Sequence, residues 1–197
     1  MGNALICEPD DLEDGRVRFH RFRYHLARGF IDPLDRVLDL GCGTGYGSDM
    51  LSEVTLDVTG FDKEQSNIDY ARKKHKGFCV IYRVEDIEGM EIPEAEVAVS
   101  FEVIEHLYKP IEFINKLKEK IKKFIIVSVP IGETLIYNEE TKEYQAMGDS
   151  THHSVFVSVD EFKKLFLDDN WKEFYSLKDG VTFMAVFYNK NGLQNYI

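Results

Sequence analysis

Short apolar runs bounded by turn residues recur along the chain. They alternate with segments whose apolar positions fall three and four residues apart. The first kind predicts buried strands over 37–40 (VLDL), 56–61, 78–83, 96–101 (EVAVSF) and 124–129. The second predicts helices over 16–30, 48–53, 64–75, 111–121 and 159–168. Near the end, runs at 171–177 and 181–188 flank Asp179-Gly180, a tight-turn pair, and predict an antiparallel hairpin. Strands alternating with helices predict an α/β fold, with a mainly parallel sheet, right-handed crossovers, helices on both faces and that hairpin added at one edge.

The segments between carry less pattern. Residues 1–15 hold Glu8, Asp10, Asp11, Glu13 and Asp14 and predict a flexible acidic arm. The helix over 16–30 (RVRFHRFRYHLARGF) interleaves Phe19, Phe22, Leu26 and Phe30 with arginines and histidines. It reads either as an amphipathic helix with a solvated basic face or, over 16–31, as a lid that offers cations to an anionic substrate. Residues 132–150 form a long polar connection, the usual place for a substrate loop. Lys116, Lys118, Lys120, Lys122 and Lys123 gather at the end of one predicted helix, where cations suit the helix dipole, and are expected to be solvated surface. No internal repeat divides residues 16–197, so one domain is expected there.

A length of 197 residues and 44% hydrophobic content suit one soluble globule with a sizeable core. No run of 18 apolar residues is present, and the N-terminus lacks the basic head and apolar core of a secretory signal. Three cysteines without metal-finger spacing fit reduced thiols, so a cytoplasmic protein without membrane association is expected. The net charge of −11 argues against affinity for nucleic acid. Nothing in the pattern sets an oligomeric state.

The chemistry concentrates in RVLDLGCGTGYGSDM, where a predicted strand runs into glycines at 41, 43, 45 and 47 and then into a helix. Such a turn lets a ligand lie against backbone N–H groups. Tyr46 stands where a dinucleotide fingerprint wants its third glycine, and Asp39 puts a carboxylate where a pyrophosphate would be repelled and a cation welcomed. This stretch resembles motif I of the class I S-adenosylmethionine-dependent methyltransferases. The resemblance covers the chain from about Arg16 and implies their seven-stranded, Rossmann-like sheet. It also implies S-adenosylmethionine as cofactor, with Gly41, Gly43 and Gly45 as cradle and Asp39 toward the cationic end. Asp62, 21 positions after Gly41, lies where the second strand of a βαβ unit brings an acid to a ribose, although it could equally cap the following helix. Asp86 and Ile87 resemble the family's adenine-binding pair, with Glu85 a competitor for the acidic role, and Phe101, at the end of the fourth strand, is a further cofactor-binding candidate.

For the acceptor, Glu102-Val103-Ile104-Glu105-His106 follows the fourth strand, where open α/β sheets bind ligands. In a helical turn Glu102 would face Glu105 and His106. With His152 or His153 downstream, this E-x-x-E-H resembles the metal site of small-RNA 3′-terminal 2′-O-methyltransferases, and a similar E-x-x-E-H occurs in ubiquinone-pathway O-methyltransferases. By that likeness Glu102, Glu105, His106 and His153 are candidates both for acceptor activation and for binding Mg or Mn. Related sequences also use these acids for packing or to cap the turn. The expectation is O-methylation of a hydroxyl on a small molecule or glycan, the glycan reading drawing on the Arg/His/Tyr-rich helix and Gly45-Tyr46-Gly47. The rivals are a metal-dependent RNA 2′-O-methyltransferase and a non-catalytic cofactor-binding module.

Overall fold

A computed structural model of the chain describes residues 15–75, 79–132, 135–138, 143–146, 156 and 158–193. Five helices, one 3-10 turn and nine strands follow in the order α1 (Gly15–Arg28), β1 (Arg36–Leu40), α2 (Tyr46–Leu51), β2 (Asp57–Asp62), α3 (Gln65–Lys74), β3 (Val80–Val84), β4 (Ala95–Phe101), the 3-10 turn Ile104–His106, α4 (Pro110–Lys120), β5 (Ile121–Pro130), β6 (Leu135–Asn138), β7 (Glu143–Ala146), α5 (Val159–Phe166), β8 (Trp171–Asp179) and β9 (Thr182–Asn189). Seven strands form one sheet in the order β3-β2-β1-β4-β5-β9-β8. The pairs from β3 to β5 are parallel, and β9 pairs antiparallel with β5 and with β8. This is the expected α/β sheet with its terminal hairpin, closed by a two-residue turn in which Gly180 takes φ 58°.

Alternation along each central strand builds two cores. Leu38 and Leu40 of β1, Ala98 of β4, and Ile125 and Val127 of β5 face α4 and α5, meeting Phe113, Leu117, Phe162 and Phe166. Their neighbours Val37, Val97, Val99 and Ile126 face α1 and α2, meeting Tyr24, Ala27, Met50 and Leu51. Strands covered on both faces read as near-continuous apolar runs, as β5 does. Ser158 caps α5 by accepting from the Glu161 N–H at 3.2 Å. No helix among the described residues is long and apolar enough to cross a membrane.

Two expectations need correction. Residues 132–150 are more than a polar connection, because β6 and β7 pair antiparallel within them. Nor is the lysine run wholly solvated. β5 begins at Ile121, three residues earlier than the apolar run implied, which turns Lys123 inward to donate to Asp32 at 2.6 Å and Asp35 at 2.8 Å. Lys116 likewise donates to the carbonyl oxygens of Glu88 and Met90.

Candidate active site

The sheet order reverses between β1 and β4, and the crevice at such a switch point, outside the carboxyl ends of the strands, is where open α/β sheets bind ligands. The glycine turn lies on one side of it. The Gly41 and Cys42 N–H groups both donate to the Phe61 carbonyl at 2.8 Å, which ties the turn to β2. Gly43 and Gly45 serve different ends. A Cβ on Gly43, at φ 53°, would meet nothing within 4 Å, so the turn has open space there. A Cβ on Gly45, at φ 85°, would come within 2.6 Å of Ala71 Cβ and 2.8 Å of the Tyr82 ring. Gly45→Ala is therefore expected to cost about 2–4 kcal/mol in a urea melt, from strained backbone and overpacking together. Gly43→Ala should leave the melt within about 1 kcal/mol and act on ligand affinity instead.

Asp62, at the end of β2, is tied into the turn and the next helix. Its Oδ2 accepts from the Gly43 N–H at 2.9 Å, and its Oδ1 from the Glu64 N–H at 2.9 Å and Asn67 Nδ2 at 3.1 Å. The Glu85 N–H donates to the Asp62 carbonyl, bringing the loop after β3 alongside. In that loop Asp86 is exposed, its Oδ1 accepting from the Glu88 N–H at 3.1 Å, while the Ile87 side chain is buried.

Asp39 faces the α1 side of the sheet and is 0% exposed. Its Oδ2 accepts from Ser48 Oγ at 2.7 Å and its Oδ1 from Tyr24 Oη at 3.1 Å. Burial pushes its carboxyl up to about 6, against the pull of the two hydroxyl donors. Above it Tyr24, Tyr46, His20 and Phe101 form an aromatic cluster, the Tyr24 and Phe101 centroids 4.9 Å apart. His20 Nδ1 shares a hydrogen bond with Tyr46 Oη, and burial, with Arg23 nearby, drops the His20 imidazole to about 3, so it is neutral at physiological pH.

Just past the end of β4, the strand on the other side of the switch point, stands Glu102. It is the one non-glycine residue with positive φ among the described residues, at 56°. Its Oε1 accepts from Arg23 Nη1 at 2.7 Å and from Ser128 Oγ at 2.8 Å. Arg23, reaching across from α1, is 3% exposed, and its guanidinium lies over the rings of Phe19 and Phe101. The helical turn expected over Glu102-Glu105-His106 is confined to Ile104–His106, because the left-handed conformation takes Glu102 out of it. Glu105 is 1% exposed and His106 half-buried. His152 and His153 lie outside the described residues. Among the described residues no group of three His, Cys, Asp or Glu forms a metal-holding cluster. The cation at Glu102 is a guanidinium.

The motif pattern does not single out Arg23, Tyr24, Ser48 or Ser128. Only Ser128 left a trace, as a polar residue inside the apolar run FIIVSVP.

The sheet, with its reversal between β1 and β4 and its antiparallel edge, is that of a Rossmann-like methyltransferase domain. A model of the family described as "Methyltransferase domain" matches residues 15–172, so the chain belongs to that family, of the class I, S-adenosylmethionine-dependent kind. It is 26% identical to a Mycobacterium tuberculosis protein described as a probable S-adenosylmethionine-dependent methyltransferase, over 81% of this chain and 57% of the relative. It is 28% identical to the mitochondrial ubiquinone biosynthesis O-methyltransferase of Schizosaccharomyces pombe, over 69% and 54%. The chain thus spans about half the length of the curated relatives it matches. Among solved structures it resembles a magnesium protoporphyrin IX methyltransferase from Synechocystis PCC 6803 with bound SAH, with TM-score 0.67 and 15% identity over 88% of this chain and 82% of that one.

Proposed function

We propose that the protein transfers the methyl group of S-adenosylmethionine to a hydroxyl oxygen of a small acceptor. What carries this reading is the switch point between β1 and β4, where one strand leads into a glycine turn with open space at Gly43 and the other into Glu102, a carboxylate held from behind. The residues fit the cofactor: open space at Gly43 for a backbone approach, Asp62 at the ribose position, Asp86 with Ile87 at the adenine position, and Asp39 as buried negative charge near the cationic end. Bound there, S-adenosylmethionine supplies an electrophilic methyl group on a sulfonium leaving group.

The chain's own part is alignment and proton removal. Both donors to Glu102 among the described residues fall on Oε1, which leaves Oε2 to accept the proton that the acceptor hydroxyl loses as its oxygen takes the methyl. The S. pombe relative, named as an O-methyltransferase, supports oxygen as the acceptor atom. The Mg or Mn set of Glu102, Glu105, His106 and His153 is the weaker reading, since Arg23 already neutralises Glu102 at 2.7 Å.

The test is calorimetry with S-adenosylhomocysteine, followed by isotopic methyl transfer to hydroxylated small molecules in EDTA. One bound ligand per chain and EDTA-resistant transfer are expected. Asp62→Ala should weaken S-adenosylhomocysteine by about 10- to 100-fold, the worth of charged hydrogen bonds. A thermal melt of that variant is the control, because Asp62 also anchors Gly43, Glu64 and Asn67. No binding overturns the proposal, and binding without transfer to any acceptor leaves a cofactor-binding module. Transfer only to RNA ends, and only with metal, establishes the RNA rival.

A further inference from the structure

We infer that Tyr24 is a positioning residue of the cofactor site: from α1 it holds the buried Asp39 carboxylate as the counter-charge for the cationic amino-acid end of the cofactor. This rests on the methyltransferase reading and makes α1 part of the cofactor site.

Three observations carry it. First, Asp39 is fully buried, and among the described residues it has hydrogen bonds from two neutral hydroxyls, of Tyr24 and Ser48, and no cationic partner. A buried charge normally has a counter-ion, so this one is built to meet a cation that the chain does not supply. Second, the fourth glycine of the turn, which the cradle does not need, is explained by Tyr24. A Cβ on Gly47 would lie 2.0 Å from Tyr24 Cζ and 2.4 Å from both Cε atoms, so the missing side chain is the seat of the phenol ring. Third, the ring is clamped edge-on by Tyr46 and Phe101, with centroids at 5.6 Å and 4.9 Å, which aims its hydroxyl at Asp39. Glycine, tyrosine and acid form one device across α1, α2 and β1.

The groups around Asp39 define its response to pH. They are Tyr24 on α1, Tyr46 on α2, Cys42 in the turn, Asp62 on β2 and Tyr82 on β3. Burial first, then the Asp39 charge, pushes the Tyr24 and Cys42 acids up, and burial, then the Asp49 charge with a smaller push from Asp39, raises Tyr82, so these stay neutral, while the Asp62 charge adds to the burial that raises Asp39. The Tyr24 hydrogen bond acts the other way, favouring the charged carboxylate.

The experiment is calorimetry from pH 5 to 8 with two probes. One is S-adenosylmethionine. The other is 5′-methylthioadenosine, which keeps the adenosine and sulfur and lacks the charged amino-acid end. For the wild type, S-adenosylmethionine affinity should hold above pH 7 and fall about tenfold by pH 5, as Asp39 protonates near pH 6. Tyr24→Phe keeps the ring over Gly47 and removes the hydroxyl alone. It should move the fall to higher pH and weaken binding at pH 7 by about three- to tenfold. Asp39→Asn should bind S-adenosylmethionine weakly and without this pH dependence. Methylthioadenosine should bind all three proteins alike, with no break near pH 6. A Tyr24→Phe profile that superimposes on the wild type overturns the inference. So does a Tyr24→Phe protein that loses both probes equally, since Tyr24 then merely shapes the cradle. A wild type that binds neither probe overturns the methyltransferase reading underneath.

Discussion

Cutting Glu102 back to alanine is expected to lower stability by about 3 kcal/mol in a urea melt at pH 7.5, and to reduce methyl transfer by 10²- to 10⁴-fold. The stability loss comes from the partner left behind. Arg23 is 3% exposed, and without Glu102 its guanidinium keeps, among the described residues, only Ser128 Oγ, at 2.9 Å, and the two phenylalanine rings. A buried cation stripped of its carboxylate costs more than the intact pair ever contributed. The Glu102 side chain is 30% exposed, so the loss should sit at the lower end of the range for buried pairs. A double variant tells the two roles apart. Arg23→Met with Glu102→Leu removes both charges and should recover most of the stability while transfer stays lost. If the double variant recovers transfer as well, Glu102 is a strut and no proton acceptor. Glu102→Gly gives a further check, because glycine accepts φ 56° without the strain of about 1 kcal/mol that a side chain carries there. It should therefore fall less than Glu102→Ala in the melt and be as inactive.

The parts of the fold that one short stretch of chain determines were legible. Val37-Leu38 with Leu40 marked a buried strand, and Asp179-Gly180 marked a tight turn, which the structure places one residue on, at Gly180-Val181 between the paired Asp179 and Thr182. The glycines of the cradle announced an unusual backbone, and their three positive φ values, at 41, 43 and 45, follow from it. Contacts made across the fold left no such mark. The sequence shows a helix rich in arginine but not that Arg23 turns to Glu102, 79 positions away, while its neighbour Tyr24 turns to Asp39. Adjacent residues on a helix diverge by about 100°, so the choice belongs to how α1 docks, which periodicity does not encode. Glu102 was misplaced for a related reason. E-V-I-E-H has the spacing of a helical turn, and the bond of the Glu102 N–H to the Ser128 carbonyl at 3.0 Å prolongs the sheet pairing one residue past Phe101 before the turn begins. Lys123 was read as surface because lysine runs usually are. The two acids that draw it in stand on the loop before β1, about 90 positions upstream.

Asp39→Asn should make the free protein more stable at neutral pH, by about 1–3 kcal/mol, even as it takes cofactor binding away. In the folded chain the Asp39 carboxyl is pushed from 3.8 up to about 6, by burial foremost, so the native state holds this proton more tightly than the unfolded chain does. Where that is so, stability falls as pH rises through the window between the two values, and the full cost is present above pH 6. A shift of this size corresponds to about 3 kcal/mol as an upper bound. Asparagine keeps the shape and carries no charge to desolvate, and the Ser48 and Tyr24 hydroxyls can each rotate to donate or accept. Urea midpoints of wild type and variant at pH 4 and pH 7.5 check this, with the gap expected to close at the acid end. Adding S-adenosylmethionine at pH 7.5 should raise the wild-type midpoint and leave the variant's nearly unmoved, since ligand stabilises only the state that binds it. A variant that is no more stable than wild type at pH 7.5 would mean that Asp39 is already compensated within the chain. It would then be structural, and the cofactor's cation would owe it nothing. The expected result places a destabilising charge under the cradle, where it gains its partner only when the ligand arrives.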